Sequence, residues 1–254
     1  MAEEFPMVIG RAFTPHIGNT IFKLLDKSAL LKSRSVSSDW KDIVDVETDL
    51  WADPDLYMSA ALKGNVDLCK KIIDCPRTVD KNPARYLGAT PLHWAAFRGH
   101  LNVCQLILEN VQEKNPPNNA GETPLHMATS WGRLDVCQLI LENVQEKNPA
   151  DGRGRTPLHT AAYAGHLDIA QLIIKNVEQK NPPDKYGNTP LHYAAKMYIS
   201  MCARKHVAKK YSNKGERLEI CCLILRSIEE KHPVNASGET PLAAARSQLF
   251  GQVS

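Results

Sequence analysis

A chain of 254 residues with 43% hydrophobic content is long enough to bury a sizeable core, and a formal net charge of only +3 excludes the lopsided balance of a dedicated polyanion binder. No apolar run approaches the roughly 18 residues of a membrane-spanning helix, and Met1 to Glu4 lack the basic start and apolar stretch of a secretory signal. The expectation is a cytoplasmic and/or nuclear protein that makes no membrane contact.

The first pattern along the chain lies at 15–45, PHIGNTIFKLLDKSALLKSRSVSSDWKDIVD. Ile17, Ile21, Leu24 and Leu25 follow helical spacing. Ser28 can cap a second helix carrying Leu30 and Leu31, and Val36, Trp40, Ile43 and Val44 suit a third. Three helices of roughly ten residues bury few apolar groups alone, so the segment either caps the remainder of the chain or offers its surplus apolar face to a partner. It resembles an F-box: Pro15, Ile17, Ile21, Leu25, Leu30, Leu31, Arg34, Val36 and Trp40 match that family's pattern without gaps, although Thr14 stands where the family favours Leu. The resemblance implies a small three-helix domain at 1–51. It also implies that Pro15, Ile17, Ile21, Leu25, Leu30, Leu31, Val36 and Trp40 bind the Skp-type adaptor of a cullin-RING ubiquitin ligase.

From residue 52 onward the chain repeats itself. TPLH begins at Thr90, Thr123, Thr156 and Thr189, each 33 residues after the last, and TPLA begins at Thr240 after an interval of 51. Each Thr can cap a helix whose first position is the following Pro, where the missing N–H costs nothing. The first helix of each unit is rich in small residues, such as Ala95-Ala96 and Ala161-Ala162, which let neighbouring backbones approach. The second is apolar on two stripes, as in LNVCQLILENV at 101–111, and reads as a helix buried between neighbours. Asn115-Pro116, Asn148-Pro149 and Asn181-Pro182 then turn the chain out of helix, and Gly121, Gly154, Gly187 and Gly238 permit a hairpin. These motifs resemble the ankyrin repeat. The resemblance implies an all-α solenoid of helix-turn-helix units joined by β-hairpin fingers, preceded by the F-box-like domain. The repeats fall at about 52–87, 88–120, 121–153, 154–186, 187–237 and a terminal half unit at 238–254. One departure is the link after the second helix, where NVQEKNP or a close variant replaces the family's glycine-alanine-aspartate.

The 51-residue interval holds 18 additional residues at about 198–215, among them Arg204, Lys205, Lys209, Lys210 and Lys214 with no acid. They read as a solvated helical extension; nucleic-acid binding or a nuclear-import signal is the sharper alternative. Of the seven cysteines, Cys69, Cys104, Cys137 and Cys221 occupy one equivalent position of successive second helices, which reads as core packing, and no zinc-like spacing occurs. No metal or other cofactor is expected.

In the ankyrin family the positions left over from packing are the finger tips and the exposed face of the first helix, on the concave side. Carried over here, the fingers present Arg85, Tyr86, Arg153, Arg155, Lys185 and Tyr186, and the first helices present Trp94, Phe97, Arg98, Met127, Trp131, Tyr163, Tyr193 and Lys196. Aromatic and Arg side chains are favoured interface anchors, so a protein partner with acidic and apolar groups is expected. His93, His126, His159 and His192 recur once per unit and read as a hydrogen-bonded ladder rather than as metal ligands. No nucleophile motif, phosphate loop or recurring carboxylate pair accompanies them, so no enzymatic activity is expected. The function these readings imply is a monomeric, substrate-recognising subunit of an SCF-type ubiquitin ligase, docking the adaptor and cullin complex through residues 1–51 and an unidentified substrate through the repeats. The alternative is a non-ligase scaffold or inhibitor whose N-terminus is a structural cap.

Overall fold

The computed structural model describes residues 53–250, apart from 77, 79, 204–213 and 229–231. The F-box positions Pro15 to Trp40 and most of the basic insertion lie outside the described residues.

Eleven helices run through the described residues: α1 (Pro54–Lys63), α2 (Val66–Asp74), α3 (Pro91–Arg98), α4 (Leu101–Asn110), α5 (Pro124–Ser130), α6 (Leu134–Asn143), α7 (Pro157–Ala164), α8 (Leu167–Asn176), α9 (Pro190–Ala203), α10 (Lys214–Ser227) and α11 (Pro241–Phe250). They stack in two rows. The odd-numbered helices pack side by side in one row, the even-numbered helices in the other, and each pair closes on itself. The core lies between the rows: Leu92, Leu125 and Leu158 of the first row and Val103, Cys104, Ile107, Ile140 and Ile173 of the second have no exposed surface. Because each helix meets only its neighbours, the core is a chain of small interfaces. Burial pushes the thiols of Cys69, Cys104 and Cys137 up to about 12, so they sit as small apolar groups. Among the described residues no three His, Cys, Asp or Glu side chains converge on a point, and no helix is long and apolar enough to cross a membrane.

The fingers are not β-hairpins in the strict sense. Among the described residues the only strand-type pairing is a single bridge between Arg85 and Ala89. The reason is local. In each later finger an Asn or Asp side chain closes the turn on itself: Asn118 Oδ1 accepts from the N–H groups of Ala120 and Glu122 at 2.9 Å each, while the Asn118 N–H donates to the Glu122 carbonyl at 2.8 Å. Asp151, Asp184 and Asn235 repeat the arrangement. Five residues so tied leave no length for a ladder. Successive fingers are joined edge to edge by one backbone bond each: Asn119 N–H to Leu87 O at 2.8 Å, Gly152 N–H to Ala120 O at 2.7 Å, Lys185 N–H to Arg153 O and Ala236 N–H to Tyr186 O at 3.0 Å.

The histidines form a second set of rungs. Nδ1 of His93 accepts from the Thr90 N–H at 3.1 Å, closing a capping box at the start of α3, and its Nε2 lies 3.0 Å from the Glu122 carbonyl of the next finger. A carbonyl only accepts, so Nε2 carries the proton and the ring is neutral. His126, His159 and His192 bridge in the same way to the carbonyls of Arg155, Asn188 and Glu239. Burial drives His93, His126 and His159 down to about 4 and also lowers His192. The Asn of the Asn-Pro pair adds a cap from upstream, since Asn115 Oδ1 accepts the Leu125 N–H at 3.1 Å and Asn82 and Asn181 do likewise for Leu92 and Leu191.

A third set ties the opposite edge. A long donor at the start of these second-row helices reaches back to the last carbonyls of the previous first-row helix: His100, just before α4, to Leu62 O at 3.1 Å, Arg133, just before α6, to Phe97 O at 3.2 Å, His166, just before α8, to Ser130 O at 3.4 Å, and Arg217, in the first turn of α10, to the carbonyls of Tyr163 and Ala164. These side chains lie over Gly64, Gly99, Gly132 and Gly165. The carbonyls are the unpaired acceptors that every helix C-terminus exposes, and a cation or imidazole there also opposes the helix dipole.

The unusual link has its own fastening. Asn110, Asn143 and Asn176 each donate from Nδ2 to the carbonyl four residues earlier, and Lys114 and Lys147 reach Oδ1 of Asn143 and Asn176 in the next unit at 3.3 and 3.4 Å. NVQEKNP thus joins neighbouring units through its Asn and Lys.

The array is asymmetric at its far end. Leu242 of α11 holds the place of Leu92, Leu125 and Leu158 yet is 52% exposed, because no second-row helix follows α11 among the described residues. Ala243 stands where the histidine would be, leaving the Thr240 hydroxyl to accept from the Ala243 N–H at 3.4 Å as a plain cap. The insertion lengthens both flanking helices: α9 continues through residues 198–203 and α10 starts at Lys214, each reaching 14 residues.

Candidate partner-binding surface

The finger tips and the outward faces of α3, α5, α7 and α9 form one side of the array. At its first finger Arg85, Tyr86 and Leu87 are exposed, Tyr86 by 46% and Leu87 by 71%. This finger lacks the Asx residue of the later ones, and its backbone shows the difference. Tyr86 and Leu87 have φ of 32° and 62°, whereas the later fingers use positive φ only at glycine. A non-glycine residue in that region costs on the order of 1 kcal/mol or more, and here two bulky side chains are held outward at that cost. Leu87 is not recognisable as a surface residue from the sequence, because an aliphatic residue beside a turn glycine carries no marker of exposure.

Arg153, Lys185 and Tyr186 also stand exposed at finger tips. Along the helices, Phe97 is half-buried and meets Trp131 edge to face with ring centroids 4.6 Å apart, while the Arg98 guanidinium lies 5.2 Å from the Phe97 ring centre. Trp131 is 46% exposed and Tyr163 39%. Met127 and Lys196 are half-buried.

Three expected contact residues turn out to serve the array itself. Trp94 is only 6% exposed and packs with Met58 and Ala89 against the preceding unit, with Phe97 edge-on at 6.1 Å. Its ring fills the space between the first two units rather than facing a partner. Arg155 is half-buried and clamps its own finger: Nε and one terminal nitrogen donate to Asp151 Oδ2 at 2.7 Å, and that nitrogen lies 3.6 Å from Glu122 Oε1. Tyr193 is half-buried, donates its hydroxyl to Asp184 Oδ2 at 2.8 Å and meets His159 edge-on at 5.4 Å. Burial and the neighbouring Asp184 raise its pKa. Trp94 thus packs between units, Arg155 joins neighbouring fingers, and Tyr193 ties a finger to a helix.

The carboxylates of this side are spent inward. Burial alone would raise Asp151, but hydrogen bonds from the Arg155 side chain and backbone and from the Arg153 backbone override it and hold the carboxyl below its ordinary range. Asp151→Asn, which copies Asn118, is expected to keep the finger folded. Asp151→Ala is expected to cost about 2 kcal/mol by leaving turn N–H groups and Arg155 unpaired, read as a lowered urea midpoint; equal midpoints for the two variants would show that the clamp does not hold the finger.

A family model described as ankyrin repeats, in 3 copies, matches residues 57–151 and 143–209. No curated protein matches the chain.

Proposed function

The chain belongs to the ankyrin-repeat family, and from that premise we propose that the side formed by finger tips and first-row helices is a protein-binding face. The carrying observation is the exposure of Tyr86, Leu87, Trp131, Tyr163 and Tyr186 on that one side. Large rings bury much area with few rotors, which makes them anchors.

The finer reading is that the chain is the substrate-recognising subunit of an SCF-type cullin-RING ubiquitin ligase, acting in the cytoplasm or nucleus. Its support is the gapless F-box resemblance of Pro15, Ile17, Ile21, Leu25, Leu30, Leu31, Val36 and Trp40. In this reading the chain carries no catalytic group. Ubiquitin transfer belongs to other subunits, and the repeats hold a substrate within their reach.

Two variants of the full chain test the two halves. Leu30→Asp with Leu31→Asp is expected to abolish capture of the Skp-type adaptor and cullin, since even truncation at the centre of an apolar interface costs about 2 kcal/mol, roughly thirtyfold in affinity. The repeats should still capture their protein target. Trp131→Ala with Tyr163→Ala is expected to do the reverse. Adaptor capture that survives the Leu30 and Leu31 changes would end the ligase reading and leave a non-ligase scaffold. Target binding that survives the Trp131 and Tyr163 changes would move the binding face elsewhere.

A further inference from the structure

The charges on the proposed binding face are sorted. In residues 85–98, 118–131, 151–164 and 184–197, which make up four fingers with their first-row helices, the only acids are Glu122, Asp151 and Asp184. Asp151 and Asp184 are each 6% exposed and consumed by finger N–H groups, Arg155 and the Tyr193 hydroxyl, and Glu122 is half-buried facing Arg155. The exposed charges left are Arg85, Arg98, Arg153 and Lys185, all positive. The second row carries an acidic excess to solvent: the charges that α4 and α6 expose are only acids, Glu109, Asp135 and Glu142, while α2, α8 and α10 expose acids together with Lys70, Lys71, Lys175 and Arg226. A nearly neutral chain is therefore polarised across its thickness, and complementary charge selects and orients a partner.

The apolar anchors are also placed unevenly. Tyr86 and Leu87 project from the first finger, close to Asp53 and Asp55 at the start of α1, which bear on the Tyr86 hydroxyl. Arg85 is exposed on the same finger, so that end carries both signs. Arg153 and Lys185 stand on the third and fourth fingers, with no exposed acid on either finger tip. Adjacent helices pack about 9 Å apart, so the first finger is about 18 Å from the third and about 27 Å from the fourth. An extended chain advances about 3.3 Å per residue and covers those spans in about five to eight residues.

Resting on the proposal that this face binds protein, we propose that its target is an extended acidic segment of one particular layout. A large apolar side chain seats on Tyr86 and Leu87, and a run of Asp or Glu about five to eight residues away pairs with Arg153 and Lys185. Residues outside this stretch reach Trp131 and Tyr163 at the C-terminal ends of α5 and α7. A single-stranded nucleic acid is the less suited polyanion, because the exposed finger cations are single residues on the first, third and fourth fingers with none on the second, not a continuous stripe, and the aromatic floor is interrupted by polar positions such as Asn119 and Ser130.

The test is selection of random peptides about 12 residues long, longer than the span above, on the full chain. Selected peptides are expected to be enriched in Asp and Glu spaced about five to eight residues from a Leu, Ile, Phe or Trp. They should bind Arg153→Gln with Lys185→Gln roughly tenfold more weakly, and lose affinity when sodium chloride rises from about 0.05 to about 0.5 M. Neutral or basic peptides that still require Trp131 and Tyr163 would overturn the acidic layout while leaving the binding face in place. Peptides indifferent to Trp131→Ala with Tyr163→Ala would remove the face itself. Displacement of selected peptides by single-stranded polyuridylate through Arg153 and Lys185 would assign the surface to nucleic acid and overturn the proposal. Unchanged circular dichroism of the variants secures each comparison, since all four side chains are exposed.

Discussion

Acidification is expected to unfold the array at a pH where its carboxylates are still ionised. His93, His126 and His159 sit near 4 in the folded chain against an ordinary value of 6.5, because each is buried as the neutral tautomer between a threonine N–H and a finger carbonyl. The unfolded chain takes up these protons below about 6.5 and the folded one does not until about 4. The stability they contribute is thus fully present above pH 6.5 and is lost as pH falls through the window down to about 4. Each histidine gives a slope of up to about 1.4 kcal/mol per pH unit, so three give about 4, against a total stability of about 5–15 kcal/mol for a typical fold. Urea midpoints measured across this window should fall steeply. His126→Gln keeps a side-chain acceptor for the Thr123 N–H, as in an ordinary capping box, but cannot titrate; it should lower stability near neutrality and remove about a third of the slope. A midpoint that stays level between about pH 7 and 5 would mean the ladder is not the acid-sensitive element.

Gly121→Ala is expected to be among the most damaging single-methyl changes in the chain. Gly121 has φ of 77°, and a Cβ there would stand 2.3 Å from the backbone nitrogen of Gly152 in the next finger. That nitrogen donates to Ala120 O at 2.7 Å, so the methyl forces two fingers apart and breaks the bond joining them. Gly238 provides the control. It has nearly the same φ, 73°, but an added Cβ would meet nothing within 4 Å. Gly238→Ala should cost only the left-handed backbone, about 1–2 kcal/mol, and Gly121→Ala should cost at least about 2 kcal/mol more. Denaturant midpoints of the two variants decide the matter, and equal losses would show that the fingers are not locked together.

The repeat architecture is legible in the sequence because its signals are residue identities at a fixed period. Thr-Pro-Leu-His marks a helix start, and a glycine marks the left-handed residue of a turn. The opposite-edge rungs are illegible for a physical reason: what recurs at His100, Arg133, His166 and Arg217 is a long donor able to reach a helix C-terminus, not one residue type. The Asn and Asp residues that close the fingers are hidden similarly, since either side chain accepts the two N–H groups. On the candidate surface, aromatic character is readable but direction is not. Trp94 and Trp131 both belong to the first row, yet the first lies between units and the second stands outside. That difference depends on which neighbour leaves room, a property of packing that periodicity does not carry.

Across the insertion both sets of rungs keep their partners. His192 still reaches the next finger and Arg217 still reaches back to α7, although the sequence separations rise from 29 to 47 and from 36 to 54 residues. The 18 extra residues, of which 198–203 extend α9 and 214–215 begin α10, therefore leave both sets of rungs intact across the α9–α10 joint. Lengthening such a joint costs only loop-closure entropy, about 0.6 kcal/mol per doubling. A tag, a localisation sequence or a whole guest domain grafted into this interval is accordingly expected to leave the proposed binding side undisturbed.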